Sequence, residues 1–146
     1  GKAFGNLYID DGKSFKYKQG EYIYRQFVFE NNILSCERGN ISTNPVPPKE
    51  SYLPKNTVER VIIYGISKNP TKIFVELKSE NFSNDIKNRI MLDFDYTQDK
   101  LIIHKPNVPV SVDWKITINF DWDSYLVSSF FPNLFSNSAS KISTVL

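Results

Sequence analysis

Two adjacent carboxylates, Asp10 and Asp11, are the residues whose spacing first suggests chemistry. A pair of carboxyl groups can hydrolyse a glycosidic bond when the two groups lie about 5 to 10 Å apart across that bond. Neighbouring residues of a strand, however, point to opposite faces of a sheet. Gly12 follows the pair and readily takes a positive φ angle. The residues Asp10, Asp11 and Gly12 are therefore better interpreted as a structural turn motif, whose carboxylates accept hydrogen bonds from nearby backbone N–H groups.

Other polar residues form weaker candidate sites. Asp93, Asp95 and Asp99 offer oxygen ligands for calcium, but this segment lacks the glycine and the final glutamate of an EF-hand loop. A solvated hairpin end is the favoured interpretation. Cys36 and His104 could form a nucleophile and its base, but they are the only cysteine and histidine in the chain and too few for a structural zinc site. We therefore expect no catalytic residue, no cofactor and no metal site in this chain.

Two sequence triplets match the acceptor of N-linked glycans. They begin at Asn40 and Asn81, and both lie in predicted loops, as the modification requires. Asparagine and serine are so common in this chain that such triplets also arise by chance. The pair therefore supports a secretory-pathway protein only weakly.

Aromatic side chains could stack on sugars if several of them were exposed together. This possibility gives an alternative hypothesis, a self-standing carbohydrate-binding module. A secreted interaction module with a β-sandwich fold is a third hypothesis. Packing in the core or at a sheet edge is the competing interpretation of most of these rings. The candidate rings are Tyr17, Tyr22, Tyr24, Tyr52 and Trp122.

Composition indicates one all-β domain. The chain has 146 residues, which is enough to bury about two thirds of its unfolded surface. Alanine occurs only twice, whereas Phe, Tyr, Ile and Val are abundant, and these residues favour strands. The 18 basic and 16 acidic residues are interspersed, so nucleic acid is not an expected partner. No apolar run approaches the roughly 20 residues of a membrane span, no leader opens the chain, and its start at Gly1 suits a fragment.

Alternating apolar residues predict a β-hairpin at the start of the chain. Leu7 and Ile9 fit one buried sheet face. Asp11 and Gly12 then predict a two-residue turn. Residues 22–30 form the next predicted strand.

Further strands follow the same alternation. Asn31 and Asn32 predict a second hairpin, residues 95–99 predict the turn of a third, and residues 58–64 predict a central strand. The side chains expected to face inward are Ile23, Phe27 and Phe29; Ile73, Val75 and Leu77; Ile90, Leu92 and Phe94; and Trp114, Ile116, Ile118 and Phe120.

These elements predict an antiparallel two-sheet β-sandwich, with a closed barrel as the main alternative. Residues 39–56 contain four prolines and predict a long exposed connection without regular strands. We assign residues 1–120 to the sandwich and residues 121–146 to a C-terminal extension of unknown role. The extension carries several large apolar residues, so it either packs against the sandwich or frays.

Several motifs in series resemble the distal C-terminal domain of glycoside hydrolase family 31 α-glucosidases. They occupy residues 5–22, 25–29, 31–34, 58–65, 104–106 and 113–116. The resemblance implies a non-catalytic β-domain that partners a catalytic barrel, and this chain lacks the barrel's nucleophile motif, Trp-x-Asp-Met-Asn-Glu. It also implies that the parent enzyme uses a retaining two-carboxylate mechanism without a cofactor, acts on α-linked glucose of N-glycans in the endoplasmic reticulum, and has a β subunit as partner.

Overall fold

The computed structural model describes residues 1–39, 52–78 and 89–120, together with the backbone of residues 144 and 145. The candidate glycosylation sites Asn40 and Asn81 lie outside these ranges, as do Trp122 and most of the proline-rich connection. Nearly all regular structure in the described ranges is β-strand, which confirms the predicted all-β class.

The first two strands form a long antiparallel pair. β1 (Lys2–Ile9) pairs with β2 (Ile23–Glu30) along its whole length, from Lys2 opposite Glu30 to Ile9 opposite Ile23. Every second residue of β2 is buried, as the alternation predicts.

The second hairpin confirms the sequence prediction. Asn31 and Asn32 have φ angles of 52° and 62°, the left-handed conformation that a tight type I′ turn needs. The turn leads into β3 (Ile33–Arg38), which pairs with β2 in register from Glu30 opposite Ile33.

The predicted two-residue turn at Asp11 and Gly12 is wrong, although the hairpin itself exists. Residues 10–22 connect β1 to β2 and include a short 3₁₀ helix, Lys16–Gln19. The two aspartates accept local backbone N–H groups, so this segment folds on itself instead of starting a strand at once. Gly20, at φ 90°, ends the 3₁₀ helix before β2 begins.

Two antiparallel sheets pack against each other, which confirms the predicted sandwich over the closed barrel. The strands after β3 are β4 (Arg60–Tyr64), β5 (Lys72–Leu77), β6 (Arg89–Met91), β7 (Phe94–Thr97), β8 (Lys100–His104), β9 (Trp114–Asn119) and β10 (Thr144–Val145). The larger sheet has the order β1-β2-β3-β9-β5-β6, and the smaller one has the order β10-β4-β8-β7. The core between the sheets contains Phe29, Ile63, Ile103, Trp114 and Ile116, each at most 1% exposed.

Two sequence predictions fail near β6, and a third holds only in part. Leu77 and Ile90 face inward as expected, since they lie opposite the buried Trp114 and Val75. They are nevertheless 43% and 59% exposed, because Leu77 ends β5 and Ile90 lies in β6, the last strand in the order of the larger sheet. Residues 90–94 are not one strand, since the chain leaves the larger sheet after Met91 and enters the smaller sheet at Phe94. The third hairpin turns at Gln98 and Asp99 alone and not across residues 95–99, because β7 continues to Thr97, which lies opposite Lys100.

Candidate functional site

The acidic turn motif is held by its own side chains. The Asp10 Oδ1 atom accepts the backbone N–H of Gly12 at 2.8 Å. Asp11 Oδ1 accepts the N–H groups of Lys13 and Ser14 at 3.1 and 3.0 Å, and Asp11 Oδ2 accepts the Ser14 hydroxyl at 2.6 Å. Gly12 has a φ angle of +62°. These contacts define a local turn in which both carboxylates act as hydrogen-bond acceptors.

The same hydrogen bonds set the protonation of the turn. Those from Ser14 and Lys13 stabilise the charged form of Asp11 and lower its pKa to about 2. Two effects raise the pKa of Tyr8 to about 12. The larger is partial burial, and the second is the hydrogen bond that the Tyr8 hydroxyl donates to Asp10 Oδ2 at 3.2 Å. Asp11 is therefore ionised at neutral pH and has no proton to give to a leaving group.

The structure does not bring Cys36 and His104 together. Cys36 is buried in the larger sheet, where its neighbours in register are Phe27 and Trp114. His104 ends a strand of the smaller sheet, and its Nε2 atom lies 2.8 Å from Asp95 Oδ2. A thiol and an imidazole in these positions do not form a nucleophile and base pair.

The described residues form no metal centre of recognisable type. Among residues 1–39, 52–78 and 89–120, no group of three or more His, Cys, Asp or Glu side chains could hold a metal ion. Asp95, one of the candidate calcium ligands, contacts His104 instead.

The same described ranges contain no helix that is long and apolar enough to cross a membrane.

An ion pair between a buried arginine and a half-buried aspartate, which the sequence analysis missed, lies at one end of the sandwich. Arg25 is 1% exposed, and its Nη2 atom donates a hydrogen bond to Asp113 Oδ1. The same oxygen accepts the backbone N–H of Arg38 at 3.1 Å. Burial alone would lower the pKa of Arg25, but hydrogen bonds with Cys36 and Asp113 outweigh burial, so its pKa is raised. Asp113 thereby fixes the loop before β9 to strands β2 and β3.

A groove of about 900 Å³ opens beside β6. Exposed aliphatic side chains line it, and among the described lining residues Asp93 is the one carboxylate. Hydrolysis of a glycosidic bond by the usual mechanism needs two carboxyl groups. The described part of the groove therefore lacks that pair. Its exposed apolar lining residues are Leu77, Ile90, Met91 and Val112.

Exposed aromatic rings gather around β1 and the acidic turn, and they only partly match the predicted set. Tyr17 is 38% exposed, whereas Tyr22, Tyr24 and Tyr52 are half-buried. Sequence reasoning missed Phe4 and Tyr8, which are 72% and 43% exposed. Phe4 and Tyr8 lie at even-numbered positions of the strand, whereas the inward-facing Leu7 and Ile9 lie at odd-numbered ones. Strict alternation would therefore have placed both rings on the outer face. Phe15 is also 74% exposed.

Several curated proteins are similar to this chain in sequence. Neutral alpha-glucosidase AB of Dictyostelium discoideum is 36% identical over 117 residues, which cover 80% of this chain and 11% of the relative. A probable glucan 1,3-alpha-glucosidase of Arabidopsis thaliana is 36% identical over 120 residues, again 80% of this chain and 12% of the relative. Glucosidase 2 subunit alpha of Saccharomyces cerevisiae is 31% identical over 119 residues, with the same coverage.

Solved structures agree with the sequence comparison. A glucosidase II alpha subunit with DNJ bound has a TM-score of 0.58 and 25% identity, covering 81% of this chain and 13% of that chain. The resemblance to family 31 α-glucosidases is confirmed. The chain spans only about a ninth of the length of these α-glucosidase relatives. No protein-family model matches the chain.

Proposed function

We propose that this chain forms a non-catalytic C-terminal β-sandwich domain of an α-glucosidase, with a structural role in the parent enzyme. One observation carries the proposal. The similarity extends over 80% of this chain but over only 11 to 12% of the α-glucosidase relatives. A segment of that size corresponds to one accessory domain, and the rest of such an enzyme holds ample chain for a separate catalytic barrel.

The state of the acidic turn supports a structural role. A glycosidase needs one carboxyl group that keeps its proton near neutral pH and a second that is ionised. The pKa of Asp11 is lowered to about 2, and the neighbouring Asp10 already accepts hydrogen bonds from Gly12 and Tyr8. Both carboxylates are thus used within the turn.

We further propose that the parent enzyme removes α-linked glucose from N-glycans in the lumen of the endoplasmic reticulum. The names of the relatives support this substrate class, since they include glucosidase 2 and glucan 1,3-alpha-glucosidase. One structural neighbour is an ER glucosidase II complex of the catalytic subunit with the binding domain of the regulatory subunit, at a TM-score of 0.55 and 25% identity. The proposed partners are accordingly the catalytic barrel of the parent enzyme and a glucosidase II β subunit.

The gene sequence upstream of the codon for Gly1 tests this proposal. The expected result is an open reading frame that continues upstream and encodes a barrel with the nucleophile motif Trp-x-Asp-Met-Asn-Glu. An initiation codon directly before Gly1, or an upstream domain of another class, would contradict the proposal.

A further inference from the structure

One strip of the larger sheet combines exposed aromatic and amide side chains. Ala3 and Leu7 of β1 pack against the core, so the alternate residues Phe4, Asn6 and Tyr8 point to the opposite, outer face. All three are exposed, and so is Gln26, which lies directly opposite Asn6 on β2. We call Phe4, Asn6, Tyr8 and Gln26 the outer strip.

The strip has an aromatic ring at each end and carboxamides between them. Phe4 and Tyr8 are four residues apart on one strand, so their Cα atoms are separated by about 13 Å. The Asn6 and Gln26 side chains form a cross-strand pair between the two rings. A ligand that spans both rings must therefore be longer than a single sugar ring.

Neighbouring side chains contact both rings. The Tyr8 ring stacks on Tyr22 with a centroid separation of 5.2 Å and an interplanar angle of 27°, and its hydroxyl is hydrogen-bonded to Asp10. At the other end, the Lys2 ammonium lies 5.0 Å from the centroid of Phe4 and also pairs with Glu30 at 2.9 Å. Because the Tyr8 ring already has two contacts, it loses little conformational freedom when a ligand covers it.

We propose that the outer strip binds a neutral oligosaccharide. The rings can cover the C–H faces of two sugar units, and the two carboxamides can both donate to and accept from the hydroxyl groups between them. The strip itself carries no charge, and the Lys2 ammonium beside Phe4 is paired with Glu30. Asp10 next to Tyr8 and Glu37 opposite Gln26 add negative charge at its border, which disfavours an anionic ligand.

The carboxamides also distinguish this ligand from a protein partner. A dry protein interface over the strip would have to satisfy every donor and acceptor of Asn6 and Gln26, because unpaired buried amides are unfavourable. A sugar can offer a hydroxyl group to each carboxamide, while the face of the sugar that points away from the strip stays hydrated. The proposal does not depend on the parentage of the chain, because the strip lies on strands that this chain contains.

Titration of the ¹⁵N-labelled full chain with maltotriose, cellotriose and mannotriose tests the proposal by amide chemical-shift changes. We expect at least one trisaccharide to shift the amides of β1 and β2 and to bind more tightly than glucose. Replacing Phe4→Ala or Tyr8→Ala should weaken that binding about fivefold to tenfold, the effect of losing one aromatic contact. Tyr8→Phe, which keeps the ring, should bind like the wild type.

Met91→Ala is the matched control, because Met91 is also exposed but lies on the opposite edge strand of the same sheet. Near-ultraviolet circular dichroism shows whether each variant keeps its fold. The proposal is overturned if none of the trisaccharides binds at up to about 10 mM, or if Phe4→Ala and Tyr8→Ala bind as the wild type does. Self-association of the free chain that disappears in Phe4→Ala would also overturn it, since a second copy would then occupy the strip.

Discussion

Two carboxylates in this protein do similar work in opposite surroundings. Asp113 accepts hydrogen bonds from the side chain of buried Arg25 and from the backbone of Arg38. Asp11 is exposed and accepts hydrogen bonds from Lys13 and Ser14 in a turn at the surface. Each carboxylate organises the chain around it, but only Asp113 compensates a charge that has been removed from water.

This difference separates the energetic roles of the two regions. Removing the carboxylate that pairs with a buried charge takes away compensation that water cannot replace there, and this is strongly destabilising. Losing an acceptor in an exposed turn lets water take over the freed N–H groups. We therefore expect substitutions at the buried end of the sandwich to reduce stability far more than substitutions in the acidic turn.

The largest expected effect is at Trp114, which directly follows Asp113 of the ion pair. Its side chain is fully buried, and its ring packs against Phe27 at a centroid separation of 5.9 Å. Trp114→Ala should lower the free energy of unfolding by about 3 to 5 kcal/mol, measured by urea denaturation. Trp114→Phe is the control and should retain more of that stability, because the indole N–H has no hydrogen-bond partner among the described residues. Equal midpoints for wild type and Trp114→Ala would show that this end of the sandwich is not packed.

Removing the carboxylate of Asp113 should have the next largest effect. Asp113→Ala leaves the Arg25 guanidinium, whose side chain is 2% exposed, without its carboxylate and should cost about 2 to 4 kcal/mol. Asp93→Ala, at an exposed carboxylate beside the groove, should change stability by less than about 0.5 kcal/mol. If urea denaturation gives the same loss for both variants, the ion pair does not stabilise the fold.

In the acidic turn, the backbone of Gly12 should matter more than any single carboxylate. A Cβ atom added at Gly12 would meet no atom within 4 Å, so strain at its positive φ angle is the only penalty. Gly12→Val should therefore cost about 1 to 3 kcal/mol. Gly12→Asn should cost less, because asparagine tolerates the left-handed conformation. Coincident urea midpoints for Gly12→Val and the wild type would contradict the observed turn.

The smallest expected effect is the pH dependence of stability at Asp11. The pKa of Asp11 is about 2 in the folded protein against an ordinary value of 3.8, so folding favours the ionised form. This contribution is fully present above pH 3.8 and is lost as the pH falls through about 2. Asp11→Asn should therefore melt below the wild type at neutral pH, and the gap between melting temperatures should close near pH 2. A gap that does not change with pH would rule out the ionic contribution.

Local signals explain which parts of the fold could be predicted from the sequence. Asn31 and Asn32 supply their own left-handed turn, and the alternation of Trp114, Ile116 and Ile118 fixes the buried face of β9. Both predictions were confirmed. The resemblance to α-glucosidases was found in the same way, from motifs that are contiguous in the chain.

The features that were missed depend on contacts between distant residues. Alternation within β2 places Arg25 on the inward face between Ile23 and Phe27. Nothing within β2 indicates its partner, because Asp113 is 88 positions away. Alternation gave the inward face of Ile90 but not its exposure, because it cannot show where the opposing sheet ends. The turn after β1 was predicted to be too short because both aspartates bind the backbone of their own loop.

We expect the described carboxylates to be structural and the chain not to hydrolyse α-glucosides by itself. Incubation of the full chain with a chromogenic α-glucoside tests this expectation most directly, with Asp10→Asn and Asp11→Asn as matched variants. We expect no release of chromophore above the rate in buffer for any of the three proteins. Turnover by the wild type that either variant abolishes would contradict it.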